Sequence, residues 1–238
     1  MPARHRIKEY SENSYYHIYN RGVEKRLIFL DKQDYVVFLS YLRDYLMPKD
    51  ERDLMRKLTD PQTSYREKDK ILKLLRLNNF ADEITLLAYS LMPNHFHFLL
   101  KQRGAQSIDK FMRSFATRYT MYFNRKYKRV GNLCQDIYKA VLVTTEEQFL
   151  YLTSYIHRNP LKGFPKSRLN SADQIRQVMF SQPSSYPEFL GQRRTDWLHP
   201  EEVLAFFSQT NPKLSYQSFV ENEDYLSAIQ TLTIDLDI

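Results

Sequence analysis

Ser90-Leu91-Met92-Pro93-Asn94-His95-Phe96-His97-Phe98-Leu99-Leu100 is the stretch that decides how this chain folds. Strand-forming residues run from Thr85 to Leu91 and again from His95 to Lys101. The link between them, Met92-Pro93-Asn94, is a turn short enough to make the two runs antiparallel neighbours. Side chains alternate along a strand, so His95 and His97 share one face while Phe96 takes the other. Two imidazoles about 7 Å apart on a strand can converge on one metal ion. Standing alone, the triplet is better accounted for by a pair of exposed or hydrogen-bonded histidines.

Upstream, Tyr15-Tyr16-His17-Ile18-Tyr19-Asn20 reads as a strand that stops at Arg21-Gly22. Asp31 can cap a following helix in which Tyr35, Phe38, Leu39, Leu42, Tyr45 and Leu46 recur at helical spacing until Pro48. Lys49 to Arg76 is dense in mixed charge and predicts an inserted helical hairpin or a mobile arm. Downstream of the histidines, Ile108, Phe111, Met112, Phe115, Tyr119, Tyr122 and Phe123 trace one face of a long helix. That helix runs into the basic cluster Arg125-Lys126-Tyr127-Lys128-Arg129. Ile137 to Val143 predicts a fourth strand. Thr144 and Glu147 have capping-box spacing for a last helix through Arg158, which Pro160 terminates. The order of strand, helix, strand, strand, helix, strand, helix suits an antiparallel sheet covered by helices. Beyond Pro160 the pattern weakens to a turn-rich link at Pro183 to Pro187 and a short helix from Pro200 to Ser208.

The 238 residues carry a formal charge of +7, which attracts polyanions and makes nucleic acid the leading partner. Eighteen tyrosines and fifteen phenylalanines add faces on which unpaired bases can stack, although most of them must form the core. Cys134 is the only cysteine, which excludes a disulfide framework and a thiolate zinc site and suits a reducing cytoplasm. No apolar run approaches the ~20 residues of a membrane span, and the N-terminus lacks the apolar stretch of a secretory signal.

On the last helix, Tyr155 and Asn159 are four residues apart and project side by side, flanking the apolar face of Phe149, Leu152 and Ile156. A tyrosine at a core boundary and a helix-ending asparagine before proline would show the same spacing. Tyr151, one turn earlier, lacks a partner asparagine four residues on.

Tyr16-His17-Ile18-Tyr19-Asn20-Arg21-Gly22, the histidine stretch and Tyr155-Ile156-His157-Arg158-Asn159-Pro160-Leu161-Lys162 together resemble the REP-associated tyrosine transposases. These are relatives of the single-tyrosine insertion-sequence transposases within the His-hydrophobic-His endonucleases. The likeness in order and spacing covers about residues 10 to 210. It implies an α+β fold, a ferredoxin-like antiparallel sheet with helices on one face. Residues 10–165 would form this domain, with a charged insertion at about 49–80, and residues 166–238 a C-terminal extension packed on it. The resemblance further implies that His95, His97 and Asn159 bind Mg²⁺ or Mn²⁺ and that Tyr155 attacks a phosphate of single-stranded or hairpin DNA. The product would be a 5′-phosphotyrosine link and a 3′-hydroxyl, made by a protein acting as a monomer, a dimer being the alternative. A noncatalytic nucleic-acid-binding protein on the same fold is the competing reading.

Arg113, Arg118, Arg125, Lys126, Lys128 and Arg129 are the candidate phosphate contacts on or after the long helix. Asn20 and Arg21 are expected at the site rim, and His157 and Arg158 on a surface facing DNA. His17 reads as structural. The chain departs from the family pattern where Cys134 replaces a usual tryptophan and where Asp136-Ile137 stands for glycine and arginine. Its charged segment is also longer than the usual connection.

Overall fold

The computed structural model describes residues 10–135, 137–165 and 171–221. Four strands, β1 (Ser14–Arg21), β2 (Ile84–Met92), β3 (His95–Gln102) and β4 (Lys139–Val143), form one antiparallel sheet in the order β2-β3-β1-β4. This is the ferredoxin-like arrangement expected from the sequence. β3 and β1 are central, and their register sets Arg21 opposite His95, Tyr19 opposite His97 and His17 opposite Leu99. Facing residues of an antiparallel pair lie on the same side of the sheet, so each pairing also assigns a face.

One face carries Tyr16 and Ile18 of β1 with Phe96, Phe98 and Leu100 of β3. It is covered by α1 (Lys32–Leu46) and by the long helix that follows β3. Phe38 is the hub of this core, with the rings of Phe29, Phe96, Phe98, Phe115 and Tyr119 all within 6.1 Å, mostly edge-on or tilted. Asp31 caps α1 in a reciprocal box with Asp34. The buried Asp34 carboxylate is satisfied by Leu30 N, Tyr122, Tyr127 and Lys126, so the start of α1 is tied to the end of the long helix.

The charged segment after α1 forms two helices, α2 (Glu51–Thr59) and α3 (Tyr65–Arg76), that pack on each other. Its two ends are closed by four hydrogen bonds. Phe80 N donates to Tyr45 O at 2.8 Å and Asn79 Nδ2 to Met47 O at 2.6 Å, while Lys49 Nζ reaches Leu75 O and Leu77 O at 3.2 and 2.5 Å. The long helix is α4 (Ser107–Lys126).

The expectation of helices on one face is corrected by α5 (Glu146–Arg158), which covers the opposite face. There Leu99, Ala88 and Val143 pack against Phe149, Leu152 and Ile156. The histidine end of the same face is too polar to seal with an apolar helix, and it is the flank of α5 that comes over it. Two local readings also shift. The cap of α5 is Thr145, not Thr144, and accepts from Gln148 N at 3.1 Å, because Gln148 rather than Glu147 reaches back to Thr144 N. β4 begins at Lys139, leaving Ile137 exposed.

After α5 the chain makes a 3₁₀ turn at Asn159–Gly163, since Pro160 has no N–H to continue the helix. Then come α6 (Ala172–Met179), α7 (Tyr186–Phe189), α8 (Glu201–Leu204) and α9 (Tyr216–Glu221). α8 is the core of the helix expected from Pro200 to Ser208, while α6 and α9 were not foreseen. Met179, Tyr186, Val203, Tyr216 and Val220 join the α5 side of the core. Residues 183–199 also run along the outer edge of β2, with Leu91 N bonded to Pro183 O and His199 N to Leu86 O. That coverage protects an edge that would otherwise present unpaired backbone groups. Residues 166–170 and 222–238 of the expected extension lie outside the described residues, as does Asp136. No helix among the described residues is long and apolar enough to cross a membrane.

Candidate functional site

On the α5 side the sheet grades from apolar to polar. Leu99, Val143 and Ala88 occupy one end. Register places His95, His97, Ser90, Tyr19, His17, Arg21 and Lys139 toward the other. Tyr155 comes down onto this polar end from α5, 7% exposed, its ring edge-on to His97 at 5.4 Å and to His17 at 5.8 Å between centroids. Asn159 caps α5 with helical backbone angles, so the four-residue spacing from Tyr155 keeps both on one side. Its Oδ1 lies 2.9 Å from His95 Nε2. β3 and the C-terminal end of α5, some sixty residues apart in sequence, thus bring His95, His97, Tyr155 and Asn159 together.

The hydrogen-bond partners fix much of the protonation. His95 Nδ1 is 2.6 Å from Asn94 Oδ1, and since that oxygen only accepts, Nδ1 carries the proton. In neutral His95 the lone pair on Nε2 then faces Asn159 Oδ1, a second acceptor. A shared cation, or a second proton on the ring, satisfies such a meeting. The 2.9 Å separation matches the roughly 3 Å between neighbouring ligands of an octahedral ion with bonds of ~2.1 Å. Asn159 Nδ2 is buried without a hydrogen-bond partner among the described residues, so the amide is engaged through its oxygen.

His97 Nδ1 is 2.9 Å from His17 Nε2, with the two rings nearly parallel. Burial first, then the charges of His17, His95 and Lys162, hold the His97 imidazole well below the usual histidine range, so it stays neutral and able to ligate at neutral pH. Among the described residues no group of three or more His, Cys, Asp or Glu could hold a metal ion. A metal here would rest on two imidazoles and one amide oxygen, with remaining positions left to substrate and water, a donor set that suits Mg²⁺ or Mn²⁺ only as a loose site.

The sequence reads His17 as structural, yet it makes the contact that orients His97. The strand alternation of Tyr15-His17-Tyr19 could have assigned it a face, but not a partner eighty residues away. Lys162, in the quoted motif but without an assigned role, donates from Nζ to Tyr155 Oη at 2.7 Å.

The expected DNA contacts divide. Arg21 lies on the site face opposite His95, and Gln135 Oε1 accepts from its Nε at 3.4 Å. Asn20 pairs with Phe96, so it is on the other face, buried, and its Oδ1 accepts from Arg21 N. His157 is not on the surface: it is fully buried, with Nδ1 2.7 Å from Tyr216 Oη and Nε2 2.7 Å from Ser185 Oγ. Helical rotation does carry it away from Tyr155, but into the C-terminal helices rather than solvent. Arg158 donates to Val220 O at 2.6 Å, so it too fastens those helices.

On α4, Arg118 pairs with Asp44 and stacks on Tyr41, and Lys126 pairs with Asp31 and Asp34. Both cations are thus paired with carboxylates in or capping α1. Arg113 pairs with Asp109 one turn away, and Arg129 donates to Asn124 Oδ1, whereas Arg125 and Lys128 are exposed. α4 covers the sheet face opposite α5, so this cluster stands behind the site. The loop after it returns to the site end, through Val23 N to Leu133 O and Gln135 N to Arg21 O.

The family model described as transposase IS200-like matches residues 57–159, a span that includes His95, His97, Tyr155 and Asn159. No curated protein matches the chain. Among solved structures, a REP-associated tyrosine transposase bound to a REP hairpin superposes with a TM-score of 0.50 at 12% identity, over 90% of this chain and 97% of that one. At that identity the likeness is one of fold. The family match thus covers the histidine stretch and the Tyr155–Asn159 motif, and the structural match extends the likeness in fold over most of the chain.

Proposed function

We propose that the chain cuts and rejoins single-stranded DNA at or near hairpins, with Tyr155 as the nucleophile and Mg²⁺ or Mn²⁺ held by His95, His97 and Asn159. The observation that carries this reading is the meeting of a helical tyrosine with two strand histidines and an amide oxygen on the polar end of the sheet. The solved structure with the same fold holds a REP hairpin, which supports hairpin DNA as the substrate class.

In the cleavage step, Tyr155 Oη forms a bond to phosphorus as the bond from phosphorus to the 3′-oxygen breaks. The phenol proton is lost and the departing 3′-oxygen gains one, leaving a 5′-phosphotyrosine link. A bound divalent ion would supply charge stabilisation on the phosphate oxygens. The residues do the rest. His17 and Asn94 hold the two imidazoles in orientation, and α5 fixes Tyr155 beside them. Because the link conserves the phosphodiester's bond energy, attack by a 3′-hydroxyl reverses it and reseals or transfers the strand. The protein works as a monomer, with residues 10–165 as the catalytic domain and the following helices as its buttress.

Incubating the protein and Tyr155→Phe with labelled hairpin strands and Mn²⁺ tests this. The expected result is a protein–DNA adduct from the first and none from the second. Salt-dependent binding without any adduct would instead make the chain a nucleic-acid-binding module. Turnover of small phosphoesters without an adduct would make it a hydrolase.

A further inference from the structure

Lys162 lies in the 3₁₀ turn after α5, held on one side by buried Pro160 and Leu161 and closed by a bond from Phe164 N to Leu161 O. From that anchored backbone its ammonium reaches back seven residues. Nζ is 2.7 Å from Tyr155 Oη and 3.9 Å from the centre of the same ring. The approach is over the face of the ring. An ammonium only donates, so the phenol oxygen accepts and its own proton points elsewhere.

We infer that Lys162 is a catalytic residue for the reaction proposed above, stabilising negative charge on Tyr155 Oη both when that oxygen attacks and when it leaves. The inference rests on Tyr155 being the nucleophile. In cleavage the charge on Oη falls as the phosphorus bond forms. In rejoining, the 3′-oxygen bonds to phosphorus and gives up its proton, the bond to Oη breaks, and charge returns to Oη before it is protonated. One ammonium serves both directions, because the two steps pass through the same transition state. The side chain is exposed at its outer part, so it can also follow the oxygen as the phosphate enters. A structural alternative is that Lys162 merely pins the turn against the ring, where the cation and π face attract one another.

The test compares wild type, Lys162→Met, Lys162→Arg and Tyr155→Phe in single-turnover adduct formation on saturating hairpin strand with Mn²⁺. Rejoining is followed by chasing the purified adduct with a 3′-hydroxyl strand, and affinity is measured separately by fluorescence anisotropy without divalent metal. Lys162→Met should slow adduct formation roughly 100-fold and rejoining by the same factor, with affinity changed less than about threefold. Lys162→Arg, which keeps the charge, should recover to within about tenfold of wild type. Wild-type rates in Lys162→Met overturn the inference. So does a loss carried wholly by affinity, a loss confined to one direction, or no recovery with arginine, the last being what a packing role predicts. An adduct from Tyr155→Phe, or none from wild type, removes the nucleophile itself and Lys162's role with it.

Discussion

His157→Leu separates a DNA-facing histidine from a buried anchor. The imidazole is fully buried, and burial pushes its pKa down to about 3, so it is neutral in the folded protein. Tyr216 donates to Nδ1 and the Nε2 proton goes to Ser185 Oγ, both at 2.7 Å. Leucine removes both bonds but strands neither partner. Ser185 Oγ still meets Tyr89 N and O, and Tyr216 still has Thr153. Two neutral hydrogen bonds at about 1 kcal/mol each give a loss near 2 kcal/mol at pH 7, or roughly 4–8 °C in Tm for a chain of this length.

The pH dependence sharpens the test. An unfolded histidine titrates near 6.5 and this folded one far lower, so below about pH 6.5 the unfolded state binds the extra proton. The wild type then loses about 1.4 kcal/mol per pH unit on this account until the folded group titrates. The leucine variant has no such loss. The two stability curves should converge near pH 5 and cross below it, as read by urea unfolding followed by circular dichroism from pH 4.5 to 8. A gap constant across that range, or wild-type stability combined with weakened DNA binding, refutes the anchor and returns His157 to the surface.

Other outcomes follow from the site and its surroundings. His17→Phe removes the partner of His97 Nδ1 and should raise the Mn²⁺ concentration for half-maximal cleavage roughly ten- to a hundredfold; an unchanged metal titration removes His17 from the site. Lys126→Met should lower Tm, by exposing Asp34 to burial without its cation, while leaving the salt dependence of DNA binding unaltered. Arg125→Ala should do the reverse, keeping Tm and taking about one unit off the salt slope if it meets phosphate. The opposite pattern for these two would restore the sequence assignment of Lys126.

The fold was legible because its signals are local. Alternation through His95-Phe96-His97-Phe98, the tight link before it and the apolar stripe of α4 each need only a few neighbouring residues to be read. The site was legible in the same measure, since Tyr155 and Asn159 are related by helical spacing and the histidines by strand spacing. What stayed hidden was pairing across the chain. Nothing near Lys126 or Arg118 announces that Asp31 at the cap of α1, and Asp34 and Asp44 within it, neutralise them. His157 looks like any polar residue at a helix end until Tyr216 arrives from sixty residues further on. α6 and α9 carry weak sequence signals because each is eight residues or fewer and is held by packing, α6 on the 3₁₀ turn after α5 and α9 on α5 itself, rather than by its own propensity.

The bonds that close α2 and α3 at their base give the molecule a seam. Tyr45 and Phe80 stay joined whatever lies between them, because their contact belongs to α1 and the connection leading into β2, not to the helices beyond. Loop-closure entropy changes slowly with loop length, so a segment of other length or composition could occupy this port at little cost to the sheet. The port is thus a natural point for swapping whole arms, by recombination between relatives or by deliberate grafting, without retuning the tyrosine and histidines on the far face.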